Sequence, residues 1–223
     1  MSDLTVMILA AGRGKRMGQL TNETPKPLLK FHGKSLIVWH LEKLASAKIK
    51  QVIINLSYLG EQISNFLGNG SAWGLNIQYS YEDPVLETAG GIKKALPLIK
   101  SNPFVVINSD IYTNYDYSNF YKFDLKNNQA YLFFTKNPSH NKSGDYDINS
   151  NGNISKDGSD MKTFCGIGVY KKEFFFNVPL NLPSKLSDLF DEKIKKGVIK
   201  GQMINDLWLD IGTPERLLSP IDY

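Results

Sequence analysis

Val6-Met7-Ile8-Leu9-Ala10-Ala11-Gly12-Arg13-Gly14-Lys15-Arg16-Met17, completed by Pro25-Lys26-Pro27, is the part of the chain that the remainder serves. The apolar run Val6 to Leu9 reads as a buried strand. It stops at small residues and two glycines, which let the backbone approach a ligand closely and turn where other residues resist. Backbone N–H groups in such a loop cradle phosphates. Arg13, Lys15 and Arg16 add charge-assisted contacts, and the prolines on either side of Lys26 stiffen its approach. Taken alone, Gly12-x-Gly14 reads equally as a basic β-to-α turn with no ligand. Two familiar phosphate loops are excluded. Met17 stands where the dinucleotide fingerprint needs Gly or Ala, and no Gly-Lys-Ser/Thr follows to make a Walker A loop.

Beyond this loop, helix and strand signals alternate. Ser35 is placed to cap a helix with apolar positions Leu36, Ile37, Leu41, Leu44 and Ala45. Residues 51–56 read as a strand, 60–67 as a short helix ended by Gly68-Asn69-Gly70, and 75–80 as an alternating strand. Residues 89–99 are helical, with Pro97 near the end, and 103–108 form a buried strand opening onto Ser109-Asp110. This order predicts an α/β fold with a mostly parallel central sheet flanked by helices. Ligands in such folds gather at the carboxyl ends of the strands, where the opening loop and Asn108-Ser109-Asp110 both fall. Past residue 110 the expected strands are 130–135, 163–170 and a last short one at 208–210, with a helix at 186–196. Residues 137–160 read as loops with short hairpin pieces. Thr213 caps a helix begun by Pro214. No clean boundary or internal repeat divides the chain.

Composition bounds the function. A chain of 223 residues with 42% hydrophobic and 22% charged residues is long enough for one sizeable core. A net charge of +4 suits anionic small molecules but is too weak and dispersed for nucleic acid. Lys193, Lys195, Lys196 and Lys200 read as a solvated helix end, where cations complement the dipole. Cys165 is the one cysteine, so no intramolecular disulfide forms, which suits a reducing cytoplasm. It lies in an apolar run and reads as a buried, inert thiol. His32, His40 and His140 make no zinc pattern. Residues 1 to 9 carry no basic leader, and no apolar run approaches membrane-spanning length.

Three further groups carry chemistry. Asp110 ends a buried strand, where an unpaired charge is expensive; it reads either as a turn cap or, with Asp210, as a ligand for a hard cation such as magnesium. Leu86-Glu87-Thr88-Ala89-Gly90-Gly91 reads as a helix start whose N–H groups and positive dipole end face outward. Gly144-Asp145-Tyr146 reads as a surface turn.

Leu-Ala-Ala-Gly-x-Gly-x-Arg-Met, seven residues and then Pro-Lys-Pro-Leu resembles the signature of the sugar-1-phosphate nucleotidyltransferases. The resemblance runs over most of the chain. It includes Tyr58-Leu59-Gly60, Ala95-Leu96-Pro97-Leu98 and a full Trp208-x-Asp210-x-Gly212-Thr213 match. Asn108-Ser109-Asp110 departs in having serine where glycine is usual, and Ser35 stands where relatives often have proline. The resemblance implies the nucleotide-diphospho-sugar transferase (Rossmann-like) fold in a single domain over 1–223. Residues 1–110 would form the nucleotide-binding half, and 111–223 a smaller acceptor-side lobe for the sugar phosphate.

It implies Arg16 and Lys26 as the catalytic cations. Ala11, Gly12, Arg13, Gly14, Lys15, Arg16, Lys26, Glu87 and Gly91 would contact the nucleotide, Asn108 and Asp145 the sugar acceptor, and Asp110 and Asp210 Mg2+. The branch it resembles most couples UTP to N-acetylmuramic acid 1-phosphate in cell-wall recycling. Mannose-1-phosphate guanylyltransferases and choline-phosphate cytidylyltransferases share the opening loop. A regulatory protein with a dead transferase fold is the alternative of another class, and such proteins tend to lose these cations and carboxylates, which are all present. The expected partners are small-molecule substrates, with no nucleic acid and no membrane, in a monomer or small homo-oligomer.

Overall fold

β1 (Thr5–Leu9) is the hub of the sheet in the computed structural model, which describes residues 4–220. Residues 1–3 of the leader reading lie outside the described residues. Two 3-10 turns follow, Lys15–Thr21 and Lys26–Leu28, and then a small hairpin, β2 (Lys30–Phe31) and β3 (Lys34–Ser35). α1 (Leu36–Ser46), β4 (Gln51–Leu56), α2 (Gly60–Leu67), β5 (Asn76–Tyr81), α3 (Glu87–Ala95) and β6 (Phe104–Asn108) complete the first half. The second half runs β7 (Ile111–Thr113), β8 (Ala130–Thr135), β9 (Tyr146–Ile148), β10 (Ile154–Ser155), β11 (Met161–Tyr170), α4 (Leu186–Lys195), β12 (Ile199–Met203), β13 (Trp208–Asp210) and α5 (Pro214–Leu217).

The main sheet runs β10-β9-β11-β6-β1-β4-β5, with β8 joining β11 and β12 beside it. β5, β4, β1 and β6 are mutually parallel, and β11 continues the sheet antiparallel to β6. The chain thus steps outward from β1 to β4 and β5, then returns to the other side of β1 as β6. That reversal opens a crevice beyond the carboxyl end of β1.

The apolar pattern explains the layers. Successive strand side chains point to opposite faces. Val6, Ile8, Val52, Ile54, Val105 and Ile107 fall in one core cluster, with Ile37, Leu41 and Leu44 of α1 and Ile63 and Leu67 of α2. Met7, Ile53, Phe104 and Val106 fall in the other, with Ala89 and Ile92 of α3 and Leu186 and Phe190 of α4. Strands buried on both faces need continuous apolar runs, and each such side chain taken from water contributes about 1.5–3 kcal/mol. Among the described residues no helix is long and apolar enough to cross a membrane.

Some local readings differ. Ser35 stands at the N-cap position of α1, but its hydroxyl donates to the Leu28 carbonyl instead of accepting from the helix. α3 ends at Ala95, and Leu98 and Ile99 bond back three residues, because Pro97 has no N–H to continue an α-helix. β7 and β12 were not expected. Lys200 lies on β12 rather than at a helix end, and Lys193 is buried, its ammonium donating to Gln129 Oε1 at 2.9 Å. The lysine cluster is therefore not one solvated face. Thr213 does cap α5, accepting from the Arg216 N–H.

His40 of α1 is buried against the second half, its Nδ1 2.7 Å from the Tyr117 hydroxyl. Burial pushes its imidazole down from 6.5 to about 4, with Asp110 opposing. The folded protein keeps it neutral where the unfolded chain takes a proton. Its contribution is therefore complete above about pH 6.5 and is lost as pH falls towards 4, by roughly 3 kcal/mol in all. Urea unfolding across this window should give a shallower pH slope for His40→Asn than for the parent; equal slopes would place the titration elsewhere.

Candidate active site

Beyond the carboxyl ends of β1 and β6 lies a cavity of about 420 Å³, walled by Ala11, Gly12, Gly14, Lys15 and Arg16 of the opening loop. Gly14 takes φ +68°, and a Cβ there would stand 3.0 Å from Lys26 Cβ; glycine is what lets the loop close over the lysine stem. Lys26 is buried, and its ammonium meets Asp110 Oδ2 at 2.5 Å. The loop leaving β1 is thereby tied to the end of β6. Arg13 points elsewhere: its guanidinium lies 5.1 Å from the centre of the Tyr58 ring, and it does not wall the cavity.

The cavity floor holds a polar network that sequence reasoning missed. Asn55 Oδ1 accepts from the Ala10 N–H at 2.9 Å, and its Nδ2 donates to Glu82 Oε1 at 2.7 Å. Glu82 Oε2 accepts from the Leu86 N–H at 2.8 Å, fixing the turn into α3. Asn55 and Glu82 are both buried, so the hydrogen bonds offset the cost of desolvating them. A signal existed. Asn55 is the penultimate residue of β4 and Asn108 the last of β6, each after an apolar run, and both are register partners of Leu9.

The reading of α3 needs correction. Glu87 and Thr88 wall the cavity, but Gly91 does not. The N–H groups of Ala89 and Gly90 both donate to the Ser184 carbonyl, at 2.9 and 3.2 Å, so they do not face a ligand. Gly91 is small for a different reason: a Cβ there would stand 2.3 Å from Glu82 Oε1.

A second cavity of about 330 Å³ adjoins the first, and Arg16, Asn108 and Asp110 wall both. It is built where β13 returns beside β7, with Asp210 opposite Ile111 and the Ile211 N–H donating to the Asp110 carbonyl at 2.8 Å. Two aspartates a hundred residues apart thus flank one ladder. Arg216 reaches Asp210 Oδ2 at 2.7 Å, and His140 Nε2 lies 3.4 Å from the same oxygen. Burial and the Arg216 guanidinium hold His140 below the usual imidazole range, with Asp210 opposing. A Cβ at Gly212 would stand 3.1 Å from Arg16 Nη1 and 2.5 Å from Arg216 Nη2, so both guanidinium groups gather over that glycine.

Asp145 also walls the second cavity, while its carboxylate accepts from the Phe164 N–H at 2.8 Å and from Asn141 Nδ2 at 3.1 Å. It latches its loop to β11 as well as facing the cavity. Cys165 is fully buried and burial pushes its thiol up, so it stays protonated. Its carbonyl accepts from Trp208 Nε1 at 2.9 Å, which seats β13.

Asp110 and Asp210 suit a hard cation. Each spends Oδ2 on a basic side chain, and neither Oδ1 has a protein hydrogen bond among the described residues. No cluster of three or more His, Cys, Asp or Glu able to hold a metal occurs among the described residues. A magnesium ion here would complete its shell with water and phosphate oxygens, which is how Mg2+ usually binds.

The nucleotidyl transferase family profile matches residues 5–221. The chain is 41% identical over 220 residues to N-acetylmuramate alpha-1-phosphate uridylyltransferase of Neisseria meningitidis, spanning 96% of this chain and 95% of that protein. It is 27% identical over 223 residues to the mannose-1-phosphate guanylyltransferase catalytic subunit beta of Drosophila melanogaster, 96% of this chain but 60% of that one. A Bacillus anthracis structure provisionally described as a glucose-1-phosphate thymidylyltransferase shares the fold. Its TM-score is 0.85 at 21% identity, over 96% of this chain and 92% of that chain.

Two glycines separate packing from ligand approach. Gly91→Ala should destabilise by roughly 1–3 kcal/mol through overpacking against Glu82, although alanine is the better helix former. Gly12, with nothing within 4 Å of its Cβ position, should tolerate alanine within about 0.5 kcal/mol yet weaken triphosphate binding. Urea unfolding and triphosphate titration check the pair; a stabilised Gly91→Ala would contradict the crowding.

Proposed function

The chain belongs to the nucleotidyl transferase family, and we propose that it joins UTP to N-acetylmuramic acid 1-phosphate, releasing pyrophosphate. The observation that carries this reading is that two cavities meet at Arg16, Asn108 and Asp110. One has Lys15 and Lys26; the other is lined by residues of β11 and β13. The base and sugar follow the relative that matches at 41% identity over nearly its whole length.

The proposed reaction is one in-line displacement. An oxygen of the acceptor phosphate forms a bond to the α-phosphorus as the bond to the bridging oxygen of pyrophosphate breaks. The attacking oxygen is already anionic, so no general base is needed. Catalysis is then positioning and charge neutralisation. Ala11, Gly12, Gly14 and Lys15 hold the triphosphate, with Glu87 against its nucleoside end. Arg16, which walls both cavities, and Lys26 neutralise the phosphates about the reacting phosphorus. Asn108 and Asp145 orient the sugar phosphate. Asp110 and Asp210 would hold Mg2+, whose charge neutralises phosphate oxygens when bound. Arg13 and Gly91 are left to support the loop and helix.

In this reading residues 1–110 serve the nucleotide and 111–223 the acceptor, with Gly212 crossing over to the nucleotide side. A UTP-using enzyme that returns muramic acid to cell-wall synthesis belongs in the cytoplasm. The runner-up is GTP with mannose 1-phosphate, which the more distant similarity to a guanylyltransferase favours.

Pyrophosphate release from four triphosphates against muramate, glucosamine, glucose and mannose 1-phosphates tests the substrate pair. UTP with N-acetylmuramic acid 1-phosphate should be best, and a clear preference for GTP with mannose 1-phosphate would sink it. Lys26→Met keeps the stem and removes the cation. Transition-state stabilisation should fall by roughly 2–4 kcal/mol, comparable to losing one preorganised donor. Activity within a few-fold of the parent would put Lys26 away from the phosphates.

A further inference from the structure

The acceptor cavity does not end at Asp210. A side pocket of about 190 Å³ opens behind it, sharing His140, Trp208 and Asp210 with the acceptor cavity. Its wall is apolar at Pro138, Leu209 and Ile211, and Arg216 also lines it. Arg216 and His140 converge on the single oxygen Asp210 Oδ2. Both remain partly open, with side-chain exposures of 20% and 33%. A guanidinium has five N–H donors, and among the described residues only one hydrogen bond of this side chain is formed, to Asp210. The His140 contact with that oxygen is long, at 3.4 Å, and therefore weak.

Lys15 and Lys26 wall the first cavity and Arg16 walls both, so charges for the transferred phosphates are in place without Arg216. Arg216 keeps N–H donors beyond the one that Asp210 takes, and an acceptor whose only anion is its phosphate leaves them unused. A short arm carrying both a methyl group and a carboxylate matches a pocket lined by apolar side chains together with Arg216 and His140, and Arg binds carboxylates by paired, charge-assisted bonds.

We propose that this side pocket takes a carboxylate carried on an ether arm of the acceptor sugar, with Arg216 and His140 as its donors. Resting on the acceptor proposed above, the arm is the lactyl group of N-acetylmuramic acid 1-phosphate. The pocket is then what separates this acceptor from N-acetylglucosamine 1-phosphate, which is the same sugar phosphate without the arm. Arg216 has a double duty, holding Asp210 and receiving the carboxylate, and His140, which stands beside Asp210, adds a second contact to the arm.

The test measures kcat/KM with UTP for both sugar phosphates in the parent, His140→Leu and Arg216→Met. The parent should favour the muramate. Each variant should lower the muramate-to-glucosamine ratio at least tenfold, chiefly through KM for the muramate, and Arg216→Met should also slow both substrates through Asp210. A parent that favours the glucosamine phosphate overturns the acceptor reading and the pocket together. A parent that favours the muramate, with the ratio unchanged in both variants, overturns the pocket alone.

Discussion

The ion pair between Lys26 and Asp110 is the contact on which the cleft depends. Its partners are 84 residues apart in sequence, and each would be costly alone at that depth. Together they let a loop with three other cations close over the end of a buried sheet. Neighbouring constraints aim the pair: Pro25 and Pro27 fix the lysine's backbone, Gly14 makes room for its stem, and β6 delivers Asp110 beside β1. On the proposed function the pair is also a placeholder. A triphosphate offers Lys26 new anions and a divalent cation offers Asp110 a new positive charge, so both partners can exchange at once without leaving a buried charge unpaired.

The second cavity repeats this arrangement with different parts. Asp210 is balanced by Arg216, with His140 beside it, as Asp110 is balanced by Lys26. The β7–β13 ladder brings the two carboxylates into one place although they come from opposite halves of the chain. Arg16 reaches across the junction. The outcome is a cleft of alternating charge, which can hold phosphates and a cation together where a uniformly basic groove would hold only the phosphates.

Much of this was legible in the sequence, for identifiable reasons. β1, β4 and β6 are buried on both faces, so their apolar runs are continuous and end where polar residues meet the crevice. The opening loop and the Trp208 to Thr213 segment are dense in unusual residues, so their spacing carries information. β12 escaped notice because Ile199-Lys-Gly-Gln-Met203 offers few apolar positions and follows a lysine-rich helix end. Glu82 escaped because a carboxylate between Tyr81 and Asp83 looks solvated until the turn into α3 folds over it. The N–H groups at the start of α3 do not face outward as read, since a glycine that admits a neighbouring carbonyl looks the same in sequence as one that admits a ligand. Arg216 and His140 lie in no motif and meet only because α5 and the loop after β8 converge on Asp210.

The claim most open to contradiction is that Asp110 and Asp210 act as one unit on one magnesium ion. Asparagine at either position keeps the shape and removes the charge that holds a hard cation. Pyrophosphate release should be followed across a magnesium titration for Asp110→Asn, Asp210→Asn and the double substitution. A shared metal predicts that each single substitution abolishes most turnover and that the double is scarcely worse, because groups acting together are non-additive. Independent losses that multiply, or full activity in excess EDTA, would contradict it.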